Sequence, residues 1–270
     1  MGDILSYYSA FDEWGRLDRE PLEFQINFRH IRQLLPASCR ILDNGAGPGK
    51  YAVELAKLGH RVTLSDLTPR LVDVAREKAK AFGVEAQFDG FHIADARDLG
   101  AFPAERFDAA LMLGPLYHLQ REEDRVRAVS ELHRVTKQDG YIFVAFMSRT
   151  RFLATSVAHP EAWKPNHTAP GIRRFLDTGN FDHADPGRFT GAYYFDIPDI
   201  VPFMEAHGFA GEKLVGSSSI AGGMGPEQWA YWRERGGEEY EGIMNLVLRE
   251  SENPHILGLS SHLLYIGRKR

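Results

Sequence analysis

The sequence predicts a single α/β domain built on a doubly wound, mostly parallel sheet of seven strands, with a lid inserted after the fifth strand. Three observations carry this expectation. Short apolar runs alternate with amphipathic stretches of helical period along most of the 270 residues. The first such run ends in Ile41-Leu-Asp-Asn-Gly-Ala-Gly-Pro-Gly49, three alternating glycines that open a helix, a turn on which a nucleotide-type ligand can lie against bare main chain. The second run delivers Asp66, 21 positions beyond Gly45, where an acid can accept hydrogen bonds from both hydroxyls of a ribose.

The elements follow in order. Residues from about Leu5 to Leu35 read as two helices, the second with apolar positions Phe24, Phe28, Ile31, Leu34 and Leu35 before Pro36 stops it. After the first strand, Ala52, Leu55 and Ala56 share a helical face that ends at Gly59. A second strand spans His60 to Ser65. Thr68 and Pro69 then read as an N-cap and a first helical position, with Val72, Ala75, Ala79 and Phe82 as the buried stripe and Gly83 closing the helix. A third strand should end near Asp95, a fourth runs from Phe107 to Leu113, a helix covers roughly Glu122 to Thr136, and Tyr141 to Phe146 makes the fifth strand. From Ser148 to Asp196 no period is sustained. A stretch of that length carrying Trp163, Phe175, Phe181, Phe189, Tyr193, Tyr194 and Phe195 reads as an ordered insertion that forms a pocket. Regularity returns with a helix opened by Pro198, whose Ile200, Phe203, Met204 and His207 share a face. A strand near Glu212 to Ser217, helical segments between Pro226 and Glu250 and a last strand His262 to Gly267 follow. The expected organisation is one domain over 1–270. It comprises an N-terminal helical segment (1–36), a ligand-binding core (37–147), the lid (148–196) and the C-terminal part of the core (197–270).

Composition narrows the function. A net charge of −5, with bases scattered among acids, leaves no electrostatic footprint for a phosphate backbone. Nucleic acid is therefore not the expected partner. The single cysteine, Cys39, reads as a small buried apolar residue. Charged residues throughout the first thirty positions leave no signal-peptide run, and no segment reaches the ~18 to 20 apolar residues of a membrane span. The expectation is a cytoplasmic protein without membrane contact.

The glycine spacing separates two kinds of ligand. Dinucleotide enzymes use G-x-G-x-x-G, whose third glycine lets helix and strand pack; this chain has G-x-G-x-G, with Lys50 at the position of that third glycine. Asp43, just before the turn, suits a positively charged amino group and suits a pyrophosphate poorly. In these residues the chain resembles the class I S-adenosylmethionine-dependent methyltransferases of the bacterial small-molecule type. The stretches Phe107-Asp-Ala-Ala-Leu-Met-Leu-Gly-Pro-Leu-Tyr-His-Leu119 and Glu131-Leu-His-Arg-Val-Thr-Lys-Gln-Asp-Gly140 are similar to later motifs of that family. The likeness runs from about Arg40 to Phe146. Asn44 and the pair Gln138-Asp139, where relatives more often carry Pro-Gly, are small departures.

The resemblance implies a Rossmann-like fold, S-adenosylmethionine as cofactor and S-adenosylhomocysteine as product. Backbone at Gly45, Ala46 and Gly47, helped by Asp43, would receive the amino-acid end. Asp66, with Leu67 beside it, would take the ribose. By the resemblance Asp95 accepts from the adenine amine, Ala96 offers backbone contacts, and the carbonyl of Leu113 with the backbone of Gly114 lies beside the methionine moiety. The alternatives are a helix-capping role for Asp66 and a loop-capping role for Asp95, with Asp98 as a rival. Methyl transfer needs an acceptor atom in line with the carbon–sulfur bond at about 3 to 3.5 Å, with water excluded. Where the acceptor must lose a proton, His118 is the first candidate base, because it follows the fourth strand at the crevice of the sheet. Tyr117 stands beside it, and both are candidate catalytic residues or walls of the cofactor pocket. His159, His167 and His183 are rivals in the lid. No metal site is expected: Asp177, Asp182, His183, Asp185 and Asp196 lack a fixed ligand spacing and read as loop residues. Tyr7 and Tyr8 can close over the cofactor or pack on the next helix.

Methylation of a small molecule is the leading expectation. A macromolecular methyltransferase would call for a basic surface and, on nucleic-acid amines, an Asn-Pro-Pro-aromatic tetrapeptide, for which this chain has Gly114-Pro-Leu-Tyr117. A dehydrogenase and a non-catalytic cofactor sensor are the remaining readings.

Overall fold

The computed structural model describes residues 14–15, 21–183 and 191–270. Tyr7, Tyr8, Asp185, Phe189 and most of the expected leading helix lie outside these described residues.

Alternation of apolar runs and amphipathic stretches produces one seven-stranded sheet. Strands β1 (Arg40–Asn44), β2 (Arg61–Asp66), β3 (Phe88–Ile93), β4 (Phe107–Met112) and β5 (Thr136–Met147) are parallel, in spatial order β3-β2-β1-β4-β5. A two-stranded ribbon, β6 (Asn180–Phe181) with β7 (Ala192–Tyr193), belongs to the insertion. Strand β8 (Phe209–Gly216) forms the far edge of the sheet, and β9 (His262–Lys269) runs antiparallel between β5 and β8. The strand order reverses between β1 and β4, so the crevice for a ligand opens at the carboxyl ends of those two strands.

Both faces of the central strands are covered, because successive side chains point to opposite sides. Ile41, Val62, Leu64, Ala109, Leu111 and Phe143 enter one core. Leu42, Ala110, Met112, Ile142, Val144 and Phe146 enter the other. The first core is closed by α1 (Pro21–Leu34), α2 (Lys50–Lys57) and α3 (Pro69–Ala81). The second is closed by α4 (Pro115–His118) and α5 (Glu122–Val135), and by the later helix that Pro198 opens.

Three local expectations need correction. Helix α1 buries Ile26, Asn27, His30 and Ile31, a stripe rotated from the expected one, with Phe24, Phe28 and Leu34 half-buried at its margin. The polar pair is satisfied by distant partners: Asn27 accepts from Ser217 Oγ at 2.9 Å, and His30 Nε2 lies 3.1 Å from Ser251 Oγ. Phe82 follows the last turn of α3 and is 46% exposed, stacked on Trp14 and covered by Lys57, because the stripe ends at Ala79. Thr68 occupies the N-cap of α3 without a side-chain cap bond; Asp66 Oδ1 instead accepts from its backbone N–H at 2.8 Å.

The insertion is more regular than its sequence suggests. It holds α6 (Arg149–Ala158), capped by Ser148, and α7 (Ala169–Thr178), capped by Thr168 and ended by Gly179 at φ 70°. Phe152, Phe175, Phe181 and Tyr194 pack with Trp163 into a small core of their own. Past the insertion come α8 (Ile197–Ala206), on the second core, and α9 (Pro226–Glu234) and α10 (Gly237–Glu250), between β8 and β9. No helix among the described residues is long and apolar enough to cross a membrane. Cys39 is buried, as expected.

Candidate active site

At the end of β1 the backbone turns left-handed three times, at Gly45 (φ 70°), Gly47 (φ 56°) and Gly49 (φ 82°). The N–H groups of Gly45 and Ala46 both donate to the Ser65 carbonyl, at 2.7 and 3.0 Å, which ties the turn to the end of β2. The glycines divide the labour. A Cβ on Gly45 would stand 2.1 Å from Pro115 Cγ, so the turn presses on the start of α4. A Cβ on Gly49 would meet Leu64 at 2.9 Å and Ala75 at 3.0 Å. Gly49 therefore performs the helix–strand packing for which the dinucleotide spacing uses a glycine one position later. At these two positions the missing Cβ makes room for protein, which corrects the expectation that all three clear space for a ligand.

Asp66 ends β2 and is 8% exposed. Its Oδ2 accepts from Gly47 N–H and its Oδ1 from Thr68 N–H, both at 2.8 Å. Burial raises its pKa, and these backbone donors pull against that shift. The carboxylate is thus held rigidly at the mouth of the crevice. Its capping and ligand-facing roles coexist, since each carboxylate oxygen has a second acceptor site. Asp43 is 2% exposed. It accepts from the Ala52 N–H in the first turn of α2, doing for that helix what Gly49 at the N-cap cannot. Its Oδ2 is buried without a hydrogen-bond partner. Burial, reinforced by the nearby charge of Asp66, pushes its pKa up to about 7.

Asp95 lies just past β3 and is bound by a neighbour that sequence reasoning overlooked. Arg97 donates to it from Nε at 3.0 Å and from Nη2 at 2.6 Å, and reaches Asp124 of α5 from Nη1 at 2.9 Å. The Arg97 backbone N–H donates to Asp95 Oδ1 at 2.9 Å, so the loop-capping role is present in the structure.

Tyr117 and His118 form the end of α4. The Tyr117 hydroxyl donates to the Leu113 carbonyl at 3.3 Å, and its ring leans on those of His118 and His262. Burial lowers the His118 pKa to about 4, with the charge of His262 acting in the same direction and a hydrogen bond to the Gly191 backbone opposing both. His118 is a neutral imidazole at physiological pH.

All the residues expected to bind cofactor, namely Asp43, Gly45, Ala46, Gly47, Asp66, Leu67, Asp95, Ala96, Leu113 and Gly114, border one cavity of about 680 Å³, together with Tyr117 and His118. Of the rival histidines His183 borders it, while His159 and His167 do not. The aromatic insertion contributes differently from the expectation. Of its described rings, Phe152, Trp163, Phe175, Phe181 and Tyr194 form their own core while Tyr193 and Phe195 join the second core of the sheet, and among the described residues it presents Asp182, His183 and Gly191 to the cavity. Gln120 links the two walls by donating to Asp182 Oδ1 at 3.0 Å. Arg125, unremarked in the sequence, anchors the same wall: it donates to the carbonyls of Leu119 and Gln120, with its guanidinium 3.5 Å from the centre of the Tyr193 ring. The described residues contain no group of three or more side chains able to hold a metal ion.

Residues 42–144, which carry the turn, Asp66, Asp95 and α4, match the model of a methyltransferase domain. Over this segment the chain is a methyltransferase domain of the S-adenosylmethionine-dependent type. It is 35% identical over 118 residues to the ubiquinone biosynthesis O-methyltransferase of Xanthomonas axonopodis pv. citri (strain 306), covering 44% of this chain and 47% of that protein. It is 34% identical over 83 residues to the tRNA 5-carboxymethoxyuridine methyltransferase of Escherichia coli (strain K12), covering 31% of each. The chain spans about half or less of the length of the curated relatives it matches. Its fold is similar to that of the 1,6-didemethyltoxoflavin-N1-methyltransferase of Burkholderia thailandensis, solved with 1,6-didemethyltoxoflavin and S-adenosylhomocysteine. The TM-score is 0.55 at 17% identity, over 98% of this chain and 84% of that one. S-adenosylmethionine is the cofactor of this methyltransferase family.

The residues present fit that cofactor. The orphaned Asp43 Oδ2 and the rigid Asp66 place two acids beneath a glycine turn, a donor set suited to a cationic nucleoside. A pyrophosphate would meet the same two acids as like charges.

Proposed function

We propose that this chain transfers a methyl group from S-adenosylmethionine to a small-molecule acceptor. The observation that carries the reading is the character of the cavity: about 680 Å³, within the usual range of small-ligand sites, and bordered by more acids than bases. Glu23, Asp43, Asp66, Asp95, Asp124 and Asp182 border it, against Lys50, Arg97 and Arg121. Arg97 is committed to Asp95 and Asp124, and Arg121 pairs with Glu123. A polyanion would therefore meet a wall of its own sign.

When bound, the cofactor supplies an activated methyl on a sulfonium that leaves readily. The chain's own residues then have three tasks. Asp66 fixes the ribose, and the Gly45–Gly47 backbone with Asp43 fixes the amino-acid end. Gly191, His183 and Asp182 cover the acceptor side and exclude water, tied to the core through Gln120. His118, neutral at pH 7, accepts a hydrogen bond from the acceptor and receives its proton as the nucleophile loses basicity.

The test is transfer of radiolabelled methyl from the cofactor into a cell extract divided into small-molecule, RNA and protein fractions. Label in the small-molecule fraction, lost when the enzyme carries Asp66→Ala, is the expected result. Label confined to RNA would move the assignment to the chemistry named for the Escherichia coli relative, and label confined to protein would also overturn the reading.

A further inference from the structure

Outside the matched segment 42–144, the described N-terminal part gives the cavity one side chain, Glu23 of α1. It is held by the opposite end of the chain. Its Oε2 lies 3.2 Å from Nδ1 of His262, the first residue of β9, and the two side chains are only 21% and 20% exposed. The His262 ring in turn stands 5.5 Å from that of Tyr117, whose hydroxyl is bonded to the Leu113 carbonyl. Glu23 is therefore a carboxylate with a fixed direction, connected through two rings to the end of β4.

Its neighbours locate it within the cavity. Phe24, next in sequence, packs on Tyr51 at 4.8 Å, and Lys50 Nζ lies 5.2 Å from the centre of the Phe24 ring. Lys50 and Tyr51 open α2 immediately after the glycine turn and also border the cavity. That end of the site thus carries an acid from α1 and a cation from α2, opposite charges for the two ends of an amino-acid zwitterion. The residues toward the insertion, Gln120, Asp182 and His183, come from other elements.

We propose that Glu23, oriented by His262, receives the ammonium of the amino-acid end of the cofactor. The proposal rests on the reading that the cavity holds S-adenosylmethionine. The contact with His262 engages Oε2, and a carboxylate offers about four acceptor positions over its two oxygens, a chemistry suited to an ammonium. Glu23 is a binding residue and His262 a positioning residue. The pair lies outside the matched segment 42–144 and joins α1 to β9.

The experiment compares two ligands by titration calorimetry on the full chain: S-adenosylhomocysteine, and 5′-methylthioadenosine, which keeps adenine, ribose and sulfur and lacks the amino-acid end. Glu23→Gln should weaken S-adenosylhomocysteine by about tenfold or more, the size of a lost charge-assisted hydrogen bond, and leave methylthioadenosine within about twofold. Binding of methylthioadenosine also reports that the variant is folded. His262→Ala should produce a smaller loss of the same ligand-selective kind, and His262→Gln, which keeps an N–H donor, should recover part of it. Equal losses for both ligands would make Glu23 a purely structural residue and overturn the proposal, as would an unchanged affinity for S-adenosylhomocysteine. Failure of the unaltered chain to bind either ligand would remove the cofactor reading itself, and the proposal with it.

Discussion

Asp43→Asn is the most informative single change. Asp43 is 2% exposed, with one oxygen unpartnered, and its pKa stands at about 7 against an ordinary carboxylate value of 3.8. The folded state therefore binds this proton more tightly than the unfolded chain does. Stability contributed by the site is greatest below about pH 4, falls as pH rises from about 4 to about 7, and is flat above that. The difference of about three pH units corresponds to a cost on the order of 4 kcal/mol at pH 8, and about 2 kcal/mol near pH 5.5. Asparagine has the same shape, keeps an oxygen for the Ala52 N–H and carries no charge. The ligand-free variant should exceed the natural protein in urea-unfolding free energy by up to roughly 4 kcal/mol at pH 8, with the gain vanishing near pH 4. The same variant should bind S-adenosylmethionine more weakly, because the acid that costs stability when empty is offset by a cation when filled. A gain independent of pH, or a loss of stability at pH 8, would refute the reasoning.

Three further outcomes follow from the geometry. Asp66→Ala removes the acceptor fixed by Gly47 and Thr68 and should weaken S-adenosylhomocysteine binding by about tenfold or more, measured by calorimetry. His118→Gln should lower turnover and leave cofactor affinity unchanged; in the unaltered enzyme the acid limb of kcat that belongs to His118 should fall near pH 4, not near 6.5, because protonation below that point removes its acceptor lone pair. Gly49→Ala places a Cβ 2.9 Å from Leu64 and 3.0 Å from Ala75 at a φ of 82° and should cost about 2 to 4 kcal/mol in chemical denaturation, with a loss below 1 kcal/mol contradicting the packing role.

The core was legible because its signals are local. Five parallel strands, the crossover helices and the glycine turn each show a period or a punctuation residue within a short window, and the family likeness spans the same stretch. The insertion lacked such a signal. Helix α6 buries Phe152 and Ser156 while leaving Val157 exposed, so it shows no clean apolar stripe, and α7, though amphipathic, is short and buries Phe175 alone. Its aromatic residues suggested a pocket lining because composition does not reveal which way rings face; Trp163, Phe175, Phe181 and Tyr194 turn toward one another, and Tyr193 and Phe195 turn to the second core. Arg97 and Arg125 were missed for a related reason. An arginine engaged by the fold looks the same in sequence as a solvated one, and only the fold places Asp95 and Asp124 around Arg97 and the Leu119 carbonyl beside Arg125. The Glu23–His262 pair joins residues at opposite ends of the chain, a contact that no window of sequence contains.

A crystal structure of the full chain with S-adenosylhomocysteine tests the assignment of the cavity most directly. The expected density has the ribose hydroxyls on Asp66, adenine beside Asp95 and Ala96, the ammonium within hydrogen-bond distance of Glu23, and the sulfur facing the His118 side. Density that placed the ribose away from Asp66, or a turn niche closed by repacked side chains with the ligand elsewhere, would contradict it.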